Sequence, residues 1–173
     1  MSKTEQVLEY QESARFRGLC QIDCYGPDGD LKWTEKNHNI VTNGGLDHIL
    51  NVILHGTAAI GTWYVGLKNT GAVAAADTLA THSGWTENAE YTGNRQEYVE
   101  AASSSQSVTN SANKASFPIT TDSQSIYGAF LASAATGTTG TLLCVANFSA
   151  AKSADNGDTL EVTYTISAAD DGA

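Results

Sequence analysis

The stretch "DTLEVTYTIS" (residues 158–167) decides the fold class, because it carries the clearest β-strand pattern in the chain. Apolar residues occupy every second position from Leu160 to Ile166, and Glu or Thr fills the positions between them. This period of two is typical of a strand with one buried and one exposed face. Asn156 and Gly157 precede the strand and favour a tight turn, so we predict a hairpin that leads into it.

The same alternation occurs near the N-terminus. Every second residue from Phe16 to Cys24 is apolar or glycine, and most positions between them are polar. The next segment, "YGPDGD" (residues 25–30), predicts a turn, because Pro27 fixes its own φ and Gly29 can adopt a positive φ. "LKWTEKNHNIVT" (residues 31–42) is then predicted to be the second strand of a hairpin.

Further short strands are predicted along the rest of the chain. Pro118 lacks an amide hydrogen, so its strand should lie at an edge of the sheet. The long connection at residues 70–94 is expected to hold one helical turn, at residues 77–81. Short strands separated by turns predict an all-β fold, an antiparallel β-sandwich of the jelly-roll-like or Ig-like type. The further strands are "GTWYVGLKN" (61–69), "RQEYVEA" (95–101), "QSVTNS" (106–111), "ASFPIT" (115–120), "SIYGAFLAS" (125–133) and "GTLLCVANF" (140–148).

One amphipathic helix interrupts this pattern within "HNIVTNGGLDHILNVILHGT" (residues 38–57). Its apolar residues fall within one sector of a helical projection, so we predict that this side packs on the sandwich. Asn43 is the predicted N-cap, and Gly56 the predicted C-terminal stop. The apolar sector consists of Leu46, Ile49, Leu50, Ile53 and Leu54.

We divide the chain into three parts. Residues 1–14 are predicted to be a flexible N-terminal arm that orders against a partner through a short apolar patch, Val7, Leu8 and Tyr10. Residues 15–168 are predicted to form a single β-sandwich domain. Residues 169–173 are predicted to be a short acidic tail.

The charge balance excludes one large class of partner. The chain has 9 basic and 19 acidic residues, with a formal net charge of -10. Nucleic-acid binding requires lysine and arginine side chains that neutralise phosphates, so we expect no nucleic-acid partner. No apolar run approaches the roughly 20 residues that a membrane span requires, so we expect no membrane partner either. The N-terminal sequence has no signal-peptide core, which predicts folding in the cytoplasm.

The cysteines and histidines do not indicate a metal or redox site. On one strand, Cys20 and Cys24 would lie about 13 Å apart at about 3.3 Å per residue, too far for a disulfide. With Cys144, they are predicted to be buried free thiols. His48 and His55 share a helix face but lie about 10.5 Å apart along the axis, so one zinc ion cannot bind both.

Two groups of acidic residues could suggest a functional site, either for calcium or for glycoside hydrolysis. Aspartates in glycine-containing turns suggest calcium, but the EF-hand spacing is absent and such turns favour Asp in any case. A glycosidase needs two carboxylates across a cleft, and nothing in the sequence places two of the glutamates so. We therefore predict no enzymatic activity and no cofactor. The aspartates are Asp28, Asp30, Asp155 and Asp158, and the glutamates are Glu87, Glu90, Glu97 and Glu100.

The segment "SGWTENAEYTGNR" (residues 83–95) is a candidate binding loop. Trp85, Tyr91 and Arg95 are of the residue types that concentrate binding energy at interfaces, and the two rings could also stack on a sugar. The alternative is that Trp85 folds back over the edge of the sandwich. We keep Trp85, Tyr91 and Arg95 as candidate partner-binding residues.

Several motifs resemble those of small virion structural proteins of tailed bacteriophages, and the resemblance runs from about residue 16 to residue 167. Within that group, the chain looks most like a capsid decoration (cement) protein. The motifs are "GPDGDLKWTEKNHNIVTNGGLDHIL", "TWYVGLKNTG", "DTLATHSGWTENAEYTGNRQ", "ASFPI", "IYGAFLAS" and "GDTLEVTYTIS".

The resemblance implies a role without chemistry. Such a protein would be a homo-oligomer, a dimer or a trimer, that binds the outside of the major capsid protein lattice and stabilises it on the virion. Two alternatives remain open. The chain could be a tail or head-fibre component that binds host-surface carbohydrate, or it could be a tail-tube or neck protein.

Overall fold

The structure is a computed structural model that describes residues 14–170. Within them, ten strands and one helix follow one another along the chain. All strand pairings are antiparallel, which confirms the predicted all-β class. The elements are β1 (Ala14–Tyr25), β2 (Leu31–Val41), α1 (Asn43–Leu54), β3 (Tyr64–Gly71), β4 (Trp85–Asn88), β5 (Gln96–Glu97), β6 (Ser107–Thr109), β7 (Ala115–Pro118), β8 (Gln124–Ala132), β9 (Leu142–Ala154) and β10 (Thr159–Asp170).

The strands form two layers that share β2. The part of β2 up to His38 pairs with β1, whereas residues 39–41 pair with β9. One layer therefore contains β1, β10, β6 and β7, and the other contains β9, β8, β3, β4 and β5. Apolar residues from both layers meet in one core, which confirms the predicted sandwich.

The pairing of β1 with β10 builds the centre of the first layer. It extends from Ala14 opposite Asp170 to Tyr25 opposite Thr159 without a register shift. Cys20, Ile22 and Cys24 stand opposite Tyr164, Val162 and Leu160, and all six side chains are fully buried. The hydroxyl of Tyr164 donates a hydrogen bond of 2.7 Å to the Ala129 carbonyl oxygen on β8, which ties the two layers together.

The second layer is buried on both faces. Phe130 and Val145 point away from the main core and form a second apolar cluster with Leu79 and Trp85. The long connection between β3 and β4 covers this outer face. The predicted helical turn at residues 77–81 is wrong, because this segment folds into short turns. The Asp77 carboxylate stabilises one of them by accepting a 2.9 Å hydrogen bond from the Ala74 amide.

Two turn predictions have different outcomes. Gly29 adopts φ +83° between β1 and β2, which confirms the N-terminal hairpin. Gly157 adopts φ +88° as predicted, but the chain does not form a hairpin there. β9 pairs with β2 and β8, whereas β10 pairs with β1, β6 and β7, so this turn carries the chain from one layer to the other. Pro118 lies at the end of the edge strand β7, as predicted.

Helix α1 begins one residue earlier than predicted. Thr42, and not Asn43, is the N-cap, since its Oγ1 accepts a 3.0 Å hydrogen bond from the Gly45 amide. The same hydroxyl donates to the Leu142 carbonyl oxygen and so fixes the helix to β9. At the other end, Gly56 has φ +73° and stops the helix as predicted.

The ends of the sandwich differ slightly from the predicted boundaries. Ala14, assigned to the arm, and residues 169–170, assigned to the tail, are paired in the β1–β10 ladder. The predicted arm contacts Val7, Leu8 and Tyr10 lie outside the described residues.

We predict that Thr42→Ala lowers the free energy of unfolding by about 1–2 kcal/mol, because it removes both the helix cap and a buried hydrogen bond. Urea unfolding measures the change. Thr42→Ser keeps the hydroxyl and is the matched control, for which we expect a smaller loss. Equal stability of Thr42→Ala and the unsubstituted protein would show that the cap does not hold α1.

Candidate functional site

The three candidate partner-binding residues of the 83–95 segment are buried within the chain. Trp85 lies on β4, where its Nε1 donates a 2.9 Å hydrogen bond to the Asp77 carboxylate. Its ring stacks on His82, with ring centroids 4.1 Å apart, and packs against Phe130 at 5.3 Å. Trp85 therefore folds back over the second layer, which is the alternative stated above for this residue.

Arg95 and Tyr91 also make contacts within the chain. Arg95 binds Glu87 with two hydrogen bonds, Nε to Oε1 at 2.8 Å and Nη2 to Oε2 at 2.7 Å. It also donates to the carbonyl oxygens of Ala134 and Gly137, so it fastens the loop after β8. The Tyr91 ring packs edge-on against Phe117, and burial raises the pKa of its hydroxyl. A partner in solution would reach little of these side chains in this conformation.

Lys68 is a buried charged residue in the same region, and no motif in the sequence marks it. Its Nζ donates to three neutral acceptors, the carbonyl oxygens of Asn69 at 2.9 Å and Gly71 at 2.8 Å and the side-chain oxygen of Asn147 at 2.6 Å. The Trp85 ring centroid lies 5.8 Å away. Burial lowers the pKa of Lys68 to about 8, and the negative charge of Asp77 partly opposes this shift.

Three of the four aspartates considered for calcium, Asp28, Asp155 and Asp158, accept hydrogen bonds from other groups of the chain. Asp158 is buried, and its Oδ2 accepts hydrogen bonds from Lys32 Nζ at 2.6 Å and from the Asp155 amide at 2.8 Å. Asp28 accepts from the Asp30 amide at 3.1 Å. Between residues 14 and 170, no group of three or more His, Cys, Asp or Glu side chains is placed to hold a metal ion.

The cysteines are free and buried, as predicted. Burial raises the pKa of Cys24 and Cys144 to about 12 and that of Cys20 further still. A thiol reacts as its thiolate, so these three cysteines are expected to be unreactive in the folded protein.

Helix α1 packs on the sandwich through a different side from the one predicted. Gly45 is buried, and a Cβ at this position would overlap the Leu143 carbonyl oxygen. Residues three, four and seven positions later share its face, so His48, Ile49 and Val52 are half-buried. The His48 ring meets Trp63 edge-on, with centroids 5.7 Å apart.

Most of the predicted apolar side of α1 is therefore exposed. The exposed fractions are 37% for Leu46, 53% for Leu50, 68% for Ile53 and 78% for Leu54. Of the five residues that we expected to cover the sandwich, only Ile49 lies on the packed side. The prediction was wrong because the close contact of Gly45 with β9 sets the rotation of the helix.

An apolar groove of about 500 Å³ lies beside the packed side of α1. We call it the α1 groove. Its few polar lining side chains include His48 and Glu100. No sequence pattern marks this groove, because it arises only once the helix is oriented by its contact with β9. The strands contribute Phe16, Val108, Leu131, Leu143 and Ile166, and α1 contributes Ile49, Val52 and Ile53.

The comparison with protein families gives one match. Residues 38–167 match the family described as podophage GP4 fiber I protein gp80, and this span is well over half of the chain. The chain belongs to this family. It is therefore a structural protein of a phage virion. Searches of curated proteins and of solved structures gave no significant match.

The part of the chain that matches the fiber I protein family contains the end of β2, α1, β3 to β9, and β10 as far as residue 167. It includes every residue named above for the α1 groove except Phe16. No helix within residues 14–170 has the length and apolar character needed to cross a membrane.

We predict that Lys68 makes the protein more stable as the pH rises from 7 to 9. The pKa of Lys68 is about 8 in the folded chain and near 10.5 in the unfolded chain, so the unfolded state binds more protons in this range. The contribution to the free energy of unfolding is about 1 kcal/mol over the two pH units.

Guanidinium unfolding at pH 7 and pH 9 tests this prediction by comparing the unsubstituted protein with Lys68→Met. From pH 7 to pH 9, the free energy of unfolding of the unsubstituted protein should rise relative to that of Lys68→Met. This holds whichever of the two proteins is more stable at pH 7. Lys36→Met, which removes an exposed lysine on β2, is the matched control. A pH-independent difference for Lys68→Met would contradict the lowered pKa.

Proposed function

We propose that this chain is a non-enzymatic component of a fibre on the virion of a tailed phage. The match of residues 38–167 to the fiber I protein family carries the proposal. The family description favours the fibre alternative over capsid decoration, which was our main prediction from the sequence. On this proposal, the chain acts by binding other virion proteins.

The exposed side of α1 supports a role in protein contacts. Leu50, Ile53 and Leu54 are more than half exposed and adjoin one another on a single helix. Contiguous apolar patches on a protein surface often mark interaction sites, whereas single exposed apolar residues do not. The patch lies next to the α1 groove, because Ile53 also lines the groove.

Two of the carboxylates considered above for chemistry are engaged in ion pairs. Glu87, which was considered as one member of a glycosidase pair, is bound by Arg95 at 2.7 Å. Asp158 is bound by Lys32 at 2.6 Å. These carboxylates stabilise the fold through ion pairs, and we propose that the chain needs no catalytic group and no cofactor.

We propose the major capsid protein as the attachment partner. A fibre that projects from the head would agree both with the fiber I protein family and with the resemblance to capsid-binding proteins. We also propose that the chain is a dimer or a trimer in the fibre. Binding of host carbohydrate is not part of the proposal, because the rings of Trp85 and Tyr91 are buried.

An amber mutation in the gene for this chain tests the proposal in the phage that encodes it. On a non-suppressing host, we expect particles with complete, DNA-filled heads that lack a fibre in electron micrographs and adsorb poorly. Growth on a suppressing host should restore both. Particles that keep every fibre but lose DNA on mild heating would contradict the proposal and support capsid decoration.

A further inference from the structure

We propose that the α1 groove binds the N-terminal segment of the same chain through Val7, Leu8 and Tyr10. The inference does not depend on the fibre role, because it concerns a contact within one chain. It assigns an occupant to a site that the described residues leave open to solvent.

The groove has the chemistry of a site for apolar side chains. Its lining comes from both layers of the sandwich, with Phe16 and Ile166 from one and Leu131 and Leu143 from the other. Polar side chains such as His48 and Glu100 are a small part of it. Binding of an apolar side chain in such a cleft is favourable, because it displaces water from the apolar surface.

The start of β1 lies close enough to the groove for the N-terminal segment to reach it. β1 begins at Ala14, and Phe16, two residues later, already lines the groove. Tyr10 precedes Phe16 by only six residues. Because an extended chain spans at most about 3.3–3.6 Å per residue, Tyr10 can lie no farther than about 22 Å from this lining residue.

The composition of the segment fits the groove. In "MSKTEQVLEYQES" (residues 1–13), Val7, Leu8 and Tyr10 are clustered and have polar neighbours on both sides. A tyrosine buries its ring and keeps a hydroxyl for a polar partner. His48 and Glu100 offer such partners beside the apolar lining.

The covalent connection favours the chain's own segment over that of a second copy. A tether of a few residues gives a binding segment an effective concentration in the millimolar range. A segment from a separate, unassociated molecule competes only when the protein itself reaches a comparable concentration. We therefore assign the groove to residues 7–10 of the same chain.

Paramagnetic relaxation in the full-length protein tests this assignment. A nitroxide is attached to the thiol introduced by Glu5→Cys; the three native cysteines are buried and should not react. With ¹⁵N-labelled protein, we expect the amide signals of Val52, Ile53 and Ala59 beside the groove to lose more than half of their intensity. The amide of Leu31, at the opposite end of β1 and β2, should keep its intensity.

Substitutions in the segment test which side chains bind. Adding Val7→Ser, Leu8→Ser and Tyr10→Ser to the labelled chain should restore the signals beside the groove. Leu31→Ser, which removes an exposed leucine far from the groove, is the matched control and should leave the broadening unchanged.

Three outcomes would overturn the inference. The first is an absence of broadening beside the groove in the labelled chain. The second is broadening that survives the three serine substitutions. The third is equal broadening when spin-labelled protein at natural isotope abundance is mixed with ¹⁵N-labelled protein that carries no spin label. The occupant would then come from a second copy.

Discussion

The antiparallel pairing of β1 with β10 is the constraint on which the rest of the structure depends. It joins the first and last described strands, so it closes the chain on itself and places three buried pairs at the centre of one layer. The Tyr164 hydroxyl, bonded to Ala129, then holds the second layer against it. Near the far end of the ladder, Phe16 and Ile166 are left beside α1, and the groove forms there.

The second layer depends on its outer cover, which includes the long connection between β3 and β4, β4 itself and the segment that follows it. Trp85 packs on Phe130, Lys68 is enclosed beside it, and Arg95 fastens the loop after β8 through its bonds to Glu87 and two carbonyl oxygens. Residues that looked suited to a partner are thus used to bury the second face of the sheet. On α1, by contrast, Leu50, Ile53 and Leu54 remain more than half exposed.

The sequence predicted the features that depend on local pattern. Alternation at residues 16–24 and 160–166, the Gly29 turn and the Gly56 stop follow from periodicity and backbone freedom, and the structure confirms them. The sequence alone could not predict features that depend on contacts between distant residues. The rotation of α1 is set by Gly45 against Leu143, and the burial of Trp85 is set by Phe130. The turn at Gly157 has the sequence of a hairpin, but its flanking strands find partners elsewhere.

Native-state hydrogen exchange, resolved by residue, tests most directly whether the β1–β10 pairing holds the fold together. We predict that the amides of Gln21 and Thr163, which face each other in this ladder, exchange only through global unfolding, so their protection should fall with denaturant as steeply as the global free energy of unfolding does. Exchange of these two amides through local opening, while Phe130 on β8 stays protected, would contradict the central place of this pairing.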